Sequence, residues 1–475
     1  MSDPRISVIM PAFNQEKYIA DSIESVLKQS FVDWELVIID DGSTDGTAGI
    51  VKRYRDSRIR YHYQPGRGVC EARNLGIQHS KGEYTAFLDA DDLFHPDKLE
   101  AQVILLDSTP DVGLVYVSRF EIDKDGSPLN FVLQPETADL TSVVLGFPFA
   151  PSDLMVRRHW LQEAGGFDRS FVINEDREWY VRLVLAGCMC RGIRRFLSYR
   201  RLNDHKSFKN LPARMDDMLR ALRPAFHSAR LDKLDRVVQA RAYHAIYQVW
   251  TYQAAVQGET KLAKEYFRQA AGFAVSTGID VKEWDRFLLH ASIRDGGDHE
   301  KRLQSIFSQL SNELTQFDLN KAVSRGYFMR GIRELVWGRT HRADEYLINV
   351  RQIDSYFDEE LINNLVDMLM NHEEASGVQA TDEMTKHIFF RCRRMLNSDN
   401  YKILAGAWLL NQAFKGFGAQ NYTRVIRKAV SAMFHNPYLL FNRGLIAILV
   451  RSVFRGFQTI FAWNSDLRGK SLVVS

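Results

Sequence analysis

The chain has 475 residues, 45% hydrophobic and 25% charged, the composition of an ordinary globular protein with about two to four domains. Sixty-two basic and 59 acidic side chains leave a formal net charge of +3, without the basic excess that nucleic-acid binding needs. The four cysteines, Cys70, Cys188, Cys190 and Cys392, show no CxxC spacing, which argues against a structural zinc site and fits a reducing compartment.

Met1 to Arg5 carry no signal-peptide pattern, so a cytoplasmic location is expected. Ile6 to Met10 reads as a strand, and Ile19 to Gln29 as a helix with apolar positions at Ile19, Ile23, Val26 and Leu27. Glu35 to Ile39 is a buried strand ending in Asp40-Asp41-Gly42-Ser43. Thr47 to Arg55 is a second helix, Ile59 to Tyr63 a third strand and Val69 to His79 a third helix. Tyr84 to Leu88 is a fourth strand ending in Asp89-Ala90-Asp91-Asp92. Such alternation predicts an α/β fold with a parallel, doubly wound sheet. Ligands then bind beyond the carboxyl ends of the strands, where both acidic clusters sit.

After about residue 212 strand signals nearly vanish and helical periodicity continues to the end. The division expected is 1–212 for the α/β domain and 213–475 for an all-α, repeat-like domain. Gly258, Gly338 and Gly418 share one spacing, followed at fixed offsets by Ala263, Ala343 and Thr423, and by Tyr266, Tyr346 and Ile426. The first copy resembles the second helix of a tetratricopeptide repeat; the third fits poorly, and a generic helical domain is the other reading. Tyr438 to Trp463 is apolar but interrupted by Arg443, Arg451 and Arg455, so it is too short of uncharged residues to cross a membrane. It reads as an amphipathic helix, packed in a core or lying on a membrane surface.

Three acidic motifs carry chemistry. Asp40-Asp41-Gly42-Ser43-Thr44-Asp45 ends a buried strand, where carboxylates can accept hydrogen bonds from a ligand; Asp45 also suits a helix cap. Asp89-Ala90-Asp91-Asp92 can offer oxygens to Mg²⁺ or Mn²⁺, which pairs one or two carboxylates with phosphate oxygens. The alternative for it is a solvated, helix-capping loop. Asn174-Glu175-Asp176-Arg177-Glu178-Trp179 opens a helix, so its acids can be a rigid general base or can merely favour the helix dipole.

Together these residues resemble the family 2 glycosyltransferases of the GT-A fold, over about residues 5 to 207. Ser7 to Asn14 and Ser25 to Ser30 are similar to that family's first strand and helix, and Asp40 to Thr47 to its nucleotide-binding turn. Glu71-Ala72-Arg73-Asn74-Leu75-Gly76 resembles its ARN-x-G helix, Phe87 to Asp92 its DxD strand end, and Glu175-Asp176 its ED motif. The resemblance implies a nucleotide-sugar donor, most often UDP-linked, with Asp41 on the base and Pro11 and Phe13 framing it. It implies Arg73 and Asn74 near the base or diphosphate. Asp91 would be the main metal ligand, Asp89 would assist through ribose or metal, and His205 would close over metal or phosphate. Asp176, beside Glu175, would be the base of an inverting displacement. The QxxRW motif of processive relatives is not found after Asp176, so addition of one hexose fits better than polysaccharide extrusion. The acceptor would be a glycan, a lipid-linked sugar or a protein. The helical domain would meet a protein partner or the inner face of a membrane.

Two other functions compete. A non-catalytic helical adaptor with a nucleotide-binding head would be free to lose Asp41, Asp91 and Asp176, all present here. A nucleotidyltransferase usually opens on a glycine-rich phosphate loop, which Pro11-Ala12-Phe13-Asn14-Gln15 is not.

Overall fold

The computed structural model describes residues 3–452, apart from 147–148, 203–209, 228–235, 278–281, 295–296, 351, 420, 438, 440–441 and 443. Every residue of β1 (Ile6–Ala12) and β2 (Trp34–Asp40) is buried, and the two pair in parallel. A strand covered on both faces needs apolar side chains on both, which explains the unbroken runs Val8-Ile9-Met10 and Leu36-Val37-Ile38-Ile39. α1 (Ile19–Leu27), α2 (Thr47–Val51), β3 (Ile59–Tyr63), α3 (Val69–His79) and β4 (Tyr84–Phe87) follow in alternation, with β3 parallel to β2 and β4 parallel to β1. α2 is shorter than the expected Thr47 to Arg55. Beyond it the backbone bonds tighten to three-residue spacing, Arg53 N–H to Ile50 and Tyr54 N–H to Val51, and the helix stops.

The second half of the sheet is mixed. It holds β5 (Leu93–Phe94), α4 (Lys98–Ser108), β6 (Val112–Ile122), β7 (Pro128–Val132), β8 (Thr137–Ala138), α5 (Leu140–Leu145), β9 (Leu154–Arg157), α6 (Arg158–Glu163), α7 (Glu175–Ala186) and β10 (Met189–Arg201). The strand order is β3-β2-β1-β4-β9-β6-β10-β5, with β7 beside β6 and β8 beside β10. β9 runs antiparallel to both β4 and β6. Helices cover both faces: Val8 and Met10 pack on Ile23 of α1 and Val103 of α4, while Ile9 and Phe87 pack on Trp179 and Leu183 of α7.

From α8 (Leu211–Phe226) onward the chain is helical: α9 (Arg236–Val256), α10 (Thr260–Thr277), α11 (Lys282–Ile293), α12 (His299–Leu310), α13 (Leu319–Val336), α14 (Thr340–Leu347), α15 (Glu359–Ser376), α16 (Val378–Met395), α17 (Ser398–Gly418) and α18 (Tyr422–His435). The chain forms two compact units, residues 1–323 and 324–475. The first unit therefore takes in α8 to α12. Leu211, Met215 and Leu222 of α8 and Ile246 and Trp250 of α9 share one apolar core with Val143, Val144 and Trp179. Arg294, just past α11, pairs with the buried Glu121 of β6, whose carboxyl it holds down at about 2.

The glycine repeat has a structural basis. Gly258 and Gly338 both have positive φ, +80° and +70°, which a side chain resists. Each ends a helix through the same bond pair: Gly258 N–H to Ala255 and Glu259 N–H to Ala254, then Gly338 N–H to Leu335 and Arg339 N–H to Glu334. Ala263 and Ala343 then sit wholly buried at the same place in the next helix. In the third copy the longer bond runs from Asn421 N–H to Gly416, and the wholly buried position is Val425. The third turn thus falls two residues later than the constant spacing puts it, which is why Gly418 and Thr423 match poorly.

Candidate active site

The chain turns sharply after β4, with Asp92 N–H bonded to the Asp89 carbonyl at 3.0 Å. Asp92 is the buried acid of this turn. Its carboxylate accepts from Ser152 Oγ at 2.6 Å and from the Arg201 backbone N–H at 2.8 Å. Burial, and then the charges of Asp91 and Asp89, push its carboxyl well above the usual range. Asp89 and Asp91 are only half-buried. The Asp89 N–H donates to Ser152 Oγ at 3.1 Å, and Arg201 Nε donates to the Asp91 carbonyl at 3.0 Å. Ser152 and Arg201 thus fix the loop while the carboxylates of Asp89 and Asp91 stand at its surface.

α7 starts at Glu175, directly after Asn174, which holds a left-handed conformation of φ 60° and ψ 20°. Asparagine tolerates this region better than most residues, at about 1 kcal/mol. Asn174 thereby sets where the acids of the first turn face. Glu175 is buried and accepts from Arg73 Nη1 at 2.6 Å. The other end of the same guanidinium, Arg73 Nη2, donates to Asp89 Oδ1 at 2.9 Å. Arg73 is 3% exposed and lies 5.2 Å from the Phe167 ring centre. Desolvation alone would lower its pKa, but the two carboxylates hold it above the ordinary arginine value. Asp176 follows. Burial, then the charge of Glu175, push its carboxyl up to about 6, against the pull of Arg73 and of the Arg177 N–H that it accepts at 2.7 Å.

The first motif is more internally engaged. Asp41 is buried, and its carboxylate accepts from Gln64 Nε2 and Arg67 N–H at 2.6 Å and from Gly68 N–H at 2.8 Å. It therefore holds the loop that leads into α3. Gly42 has φ +83°, and a Cβ there would meet the Gly66 nitrogen at 2.8 Å. Asp45 accepts from Thr47 N–H at 3.0 Å, at the start of α2. Pro11 is buried in β1 opposite Ile39. Phe13, just beyond the strand end, is 55% exposed. The next residue, Asn14, accepts from the Thr44 N–H at 2.8 Å, tying that strand end to the Asp40–Asp45 turn.

The structure thus brings Arg73, Asp89, Glu175 and Asp176 together and places Asp91 on the same loop as Asp89. Asn74 has another task. Its amide donates to the Phe167 carbonyl and accepts from the Phe167 N–H, both at 2.8 Å, clamping the turn before α7. His205 lies outside the described residues. Among the described residues, no three His, Cys, Asp or Glu side chains cluster as a metal cage. Sequence reasoning gave no role to Arg200 and Arg201, and did not expect the hold of Ser152 on Asp92. The half-buried Arg200 is held charged above the usual value by Asp92 first, and also by Asp176. The available signal was a pair of arginines at the end of a strand.

Residues 7–198 match the family model described as Glycosyl transferase family 2. The putative teichuronic acid biosynthesis glycosyltransferase TuaG of Bacillus subtilis is 39% identical over 138 residues, 28% of this chain and 54% of that protein. The Escherichia coli UDP-Glc:alpha-D-GlcNAc-diphosphoundecaprenol beta-1,3-glucosyltransferase WfgD is 36% identical over 137 residues, 29% of this chain and 53% of that protein. The chain spans about half the length of these two curated relatives. The crystal structure of S. aureus TarS aligns with 74% of this chain and 54% of its own at 17% identity, with a TM-score of 0.42. Residues 7–198 of the chain form a family 2 glycosyltransferase domain.

Proposed function

We propose that the chain is a non-processive glycosyltransferase of cell-surface glycan synthesis. It moves one sugar, with inversion, from a nucleotide-sugar to an acceptor hydroxyl. The observation that carries this is the Arg73 clamp, which joins the motif suited to metal and diphosphate to the motif suited to proton transfer. The donor reading draws on the name of the E. coli relative, a UDP-Glc enzyme. The exposed Phe13 ring would face the base, and Asp41 would keep the wall of that pocket in place.

Asp91 with Asp89 would hold Mg²⁺ or Mn²⁺. The donor set fits: two hard carboxylates one residue apart, whose negative charge already raises the pKa of buried Asp92. When bound, the ion supplies charge neutralisation for the departing diphosphate. Asp176 takes the acceptor hydroxyl proton while the acceptor oxygen bonds to the anomeric carbon, and the diphosphate leaves with the electron pair of the broken bond. Glu175, fixed by Arg73, and Arg200 set the field around that carboxylate.

The acceptor is a glycan, lipid-linked or protein-bound, and the helical region recruits it or a partner. Among the described residues no helix is long and apolar enough to cross a membrane. The test is nucleotide release from each common nucleotide-sugar with Mn²⁺. Release from one donor, abolished by chelator and by Asp176→Asn in the presence of acceptor, is the expected result. No release from any donor, with or without acceptor extracts, would overturn the reading.

A further inference from the structure

The second unit contains a cavity of about 570 Å³ between α16, α17 and α18, well within the range of ligand pockets. Its floor is aromatic: Trp408 is 3% exposed, and Phe389 and Tyr401 stand edge to face with ring centres 6.2 Å apart. Its rim is cationic. Lys386 and Arg393, both exposed, flank the cavity, and neither forms an ion pair among the described residues. The acid at the edge, Asp382, is already neutralised by Lys428 Nζ at 3.6 Å.

The charge is concentrated here. Residues 378–435 hold nine Lys and Arg against three Asp and Glu; Arg391, Lys415 and Arg424 pair with acids outside that stretch, which leaves Lys386 and Arg393 as the cations at the cavity without an ion pair among the described residues. A concave site with flat apolar rings below and unpaired cations above suits a ligand that offers ring faces and anions in one strand. Aromatic side chains bury such faces at low entropic cost, and unpaired cations gain from a matched anion without breaking an existing pair.

We propose that this cavity binds an acidic oligosaccharide, its sugar rings against Tyr401 above the buried Trp408 and its anionic groups against Lys386 and Arg393. The proposal gives acceptor recruitment a place and a ligand chemistry. It rests on that reading only for its purpose, because binding is measured without turnover.

The test is calorimetry on the full chain with three probes: a hexagalacturonate, the same hexasaccharide fully methyl-esterified, and phosphatidylglycerol vesicles. The acidic form should bind at low salt and the neutral ester about tenfold or more weakly. Lys386→Ala with Arg393→Ala should weaken the acidic form about tenfold, with unchanged helical circular dichroism. Tyr401→Leu should weaken it several-fold, an effect that a surface acting by charge alone would not show. No binding of the acidic probe, or equal binding by the double variant, would overturn the proposal. So would binding to vesicles that ignores Tyr401→Leu, which would mark a membrane-facing basic patch instead. A chain inactive in sugar transfer that still binds the acidic probe would fault the catalytic reading and leave this one standing.

Discussion

The Arg73 guanidinium reaches Glu175 at 2.6 Å across 102 positions of sequence. Both groups are buried, and the same guanidinium also holds Asp89. Removing the cation leaves two carboxylates facing each other in a poorly solvated site. Arg73→Met should cost about 3–5 kcal/mol of stability, as breaking a buried ion pair does, and should abolish transfer. Arg73→Lys keeps the charge but not the two-ended fork, and should keep the fold while lowering the rate at least about tenfold. Urea unfolding with single-turnover kinetics checks both. Near wild-type rates in Arg73→Lys would mean the fork is not needed.

Asp91→Ala should lose metal-dependent donor binding and most of the rate, because it removes a carboxylate from the proposed ion. The measurement is Mn²⁺-dependent donor titration by calorimetry. Full transfer by the wild-type chain in excess chelator would count against any metal at this loop.

The carboxyl of Asp176, held up at about 6, should give a pH-dependent rate. A base must be ionised, so the rate should rise with pH through about 6 and level off above it. The stability effect has the opposite sense. The folded chain holds this proton more tightly than the unfolded chain, whose carboxyl keeps the ordinary value of 3.8. Stability from this group is therefore present below about pH 4 and is lost as pH rises to about 6. Asp176→Asn should stabilise the fold by about 1–2 kcal/mol near neutral pH and not below about pH 4, the part-exposed carboxyl being partly screened. It should also cut the rate by about 10²–10⁴ while donor affinity holds. Melting temperature against pH, with donor calorimetry, decides this.

Ser152→Ala removes one of the two partners of buried Asp92 and the acceptor of the Asp89 N–H. The expected cost is about 1–3 kcal/mol of stability, with a raised KM for the donor. An unchanged KM would show that the loop keeps its shape without this hydroxyl.

A chain truncated after residue 215 should aggregate or melt early. The cut strips Leu222 and Ala225 of α8 and Ile246 and Trp250 of α9 from a core that they share with Val143 and Trp179. A chain ending at residue 323 keeps that core and should fold. A soluble, cooperative 1–215 fragment would show that α8 to α12 are dispensable for the fold.

Much of the site was legible because its signals are local. A buried strand must read apolar, so the acids that end it, Asp41, Asp89 and Asp91, stand out in short windows of sequence, as Asp176 does in the first turn of a helix. The recurring glycine–alanine spacing of Gly258 with Ala263 and Gly338 with Ala343 is local too, because a helix stop of this kind needs a residue that accepts positive φ. What no window contains is which distant partner each side chain meets. The opposite ends of Arg73 on Asp89 and Glu175, the bridging hydroxyl of Ser152, the hold of Arg201 on the Asp89–Asp92 turn and the clamp of Asn74 on Phe167 all join residues far apart in sequence. The antiparallel insertion of β9 between β4 and β6 is likewise decided by which edges the folded layers leave open, as is the shared core of α8 to α12 with the sheet. Hydrophobic pattern fixes which face of a strand or helix is buried, but burial is non-directional and names no partner. Only the packed tertiary structure, where each buried polar group must find its own hydrogen bond, decides that.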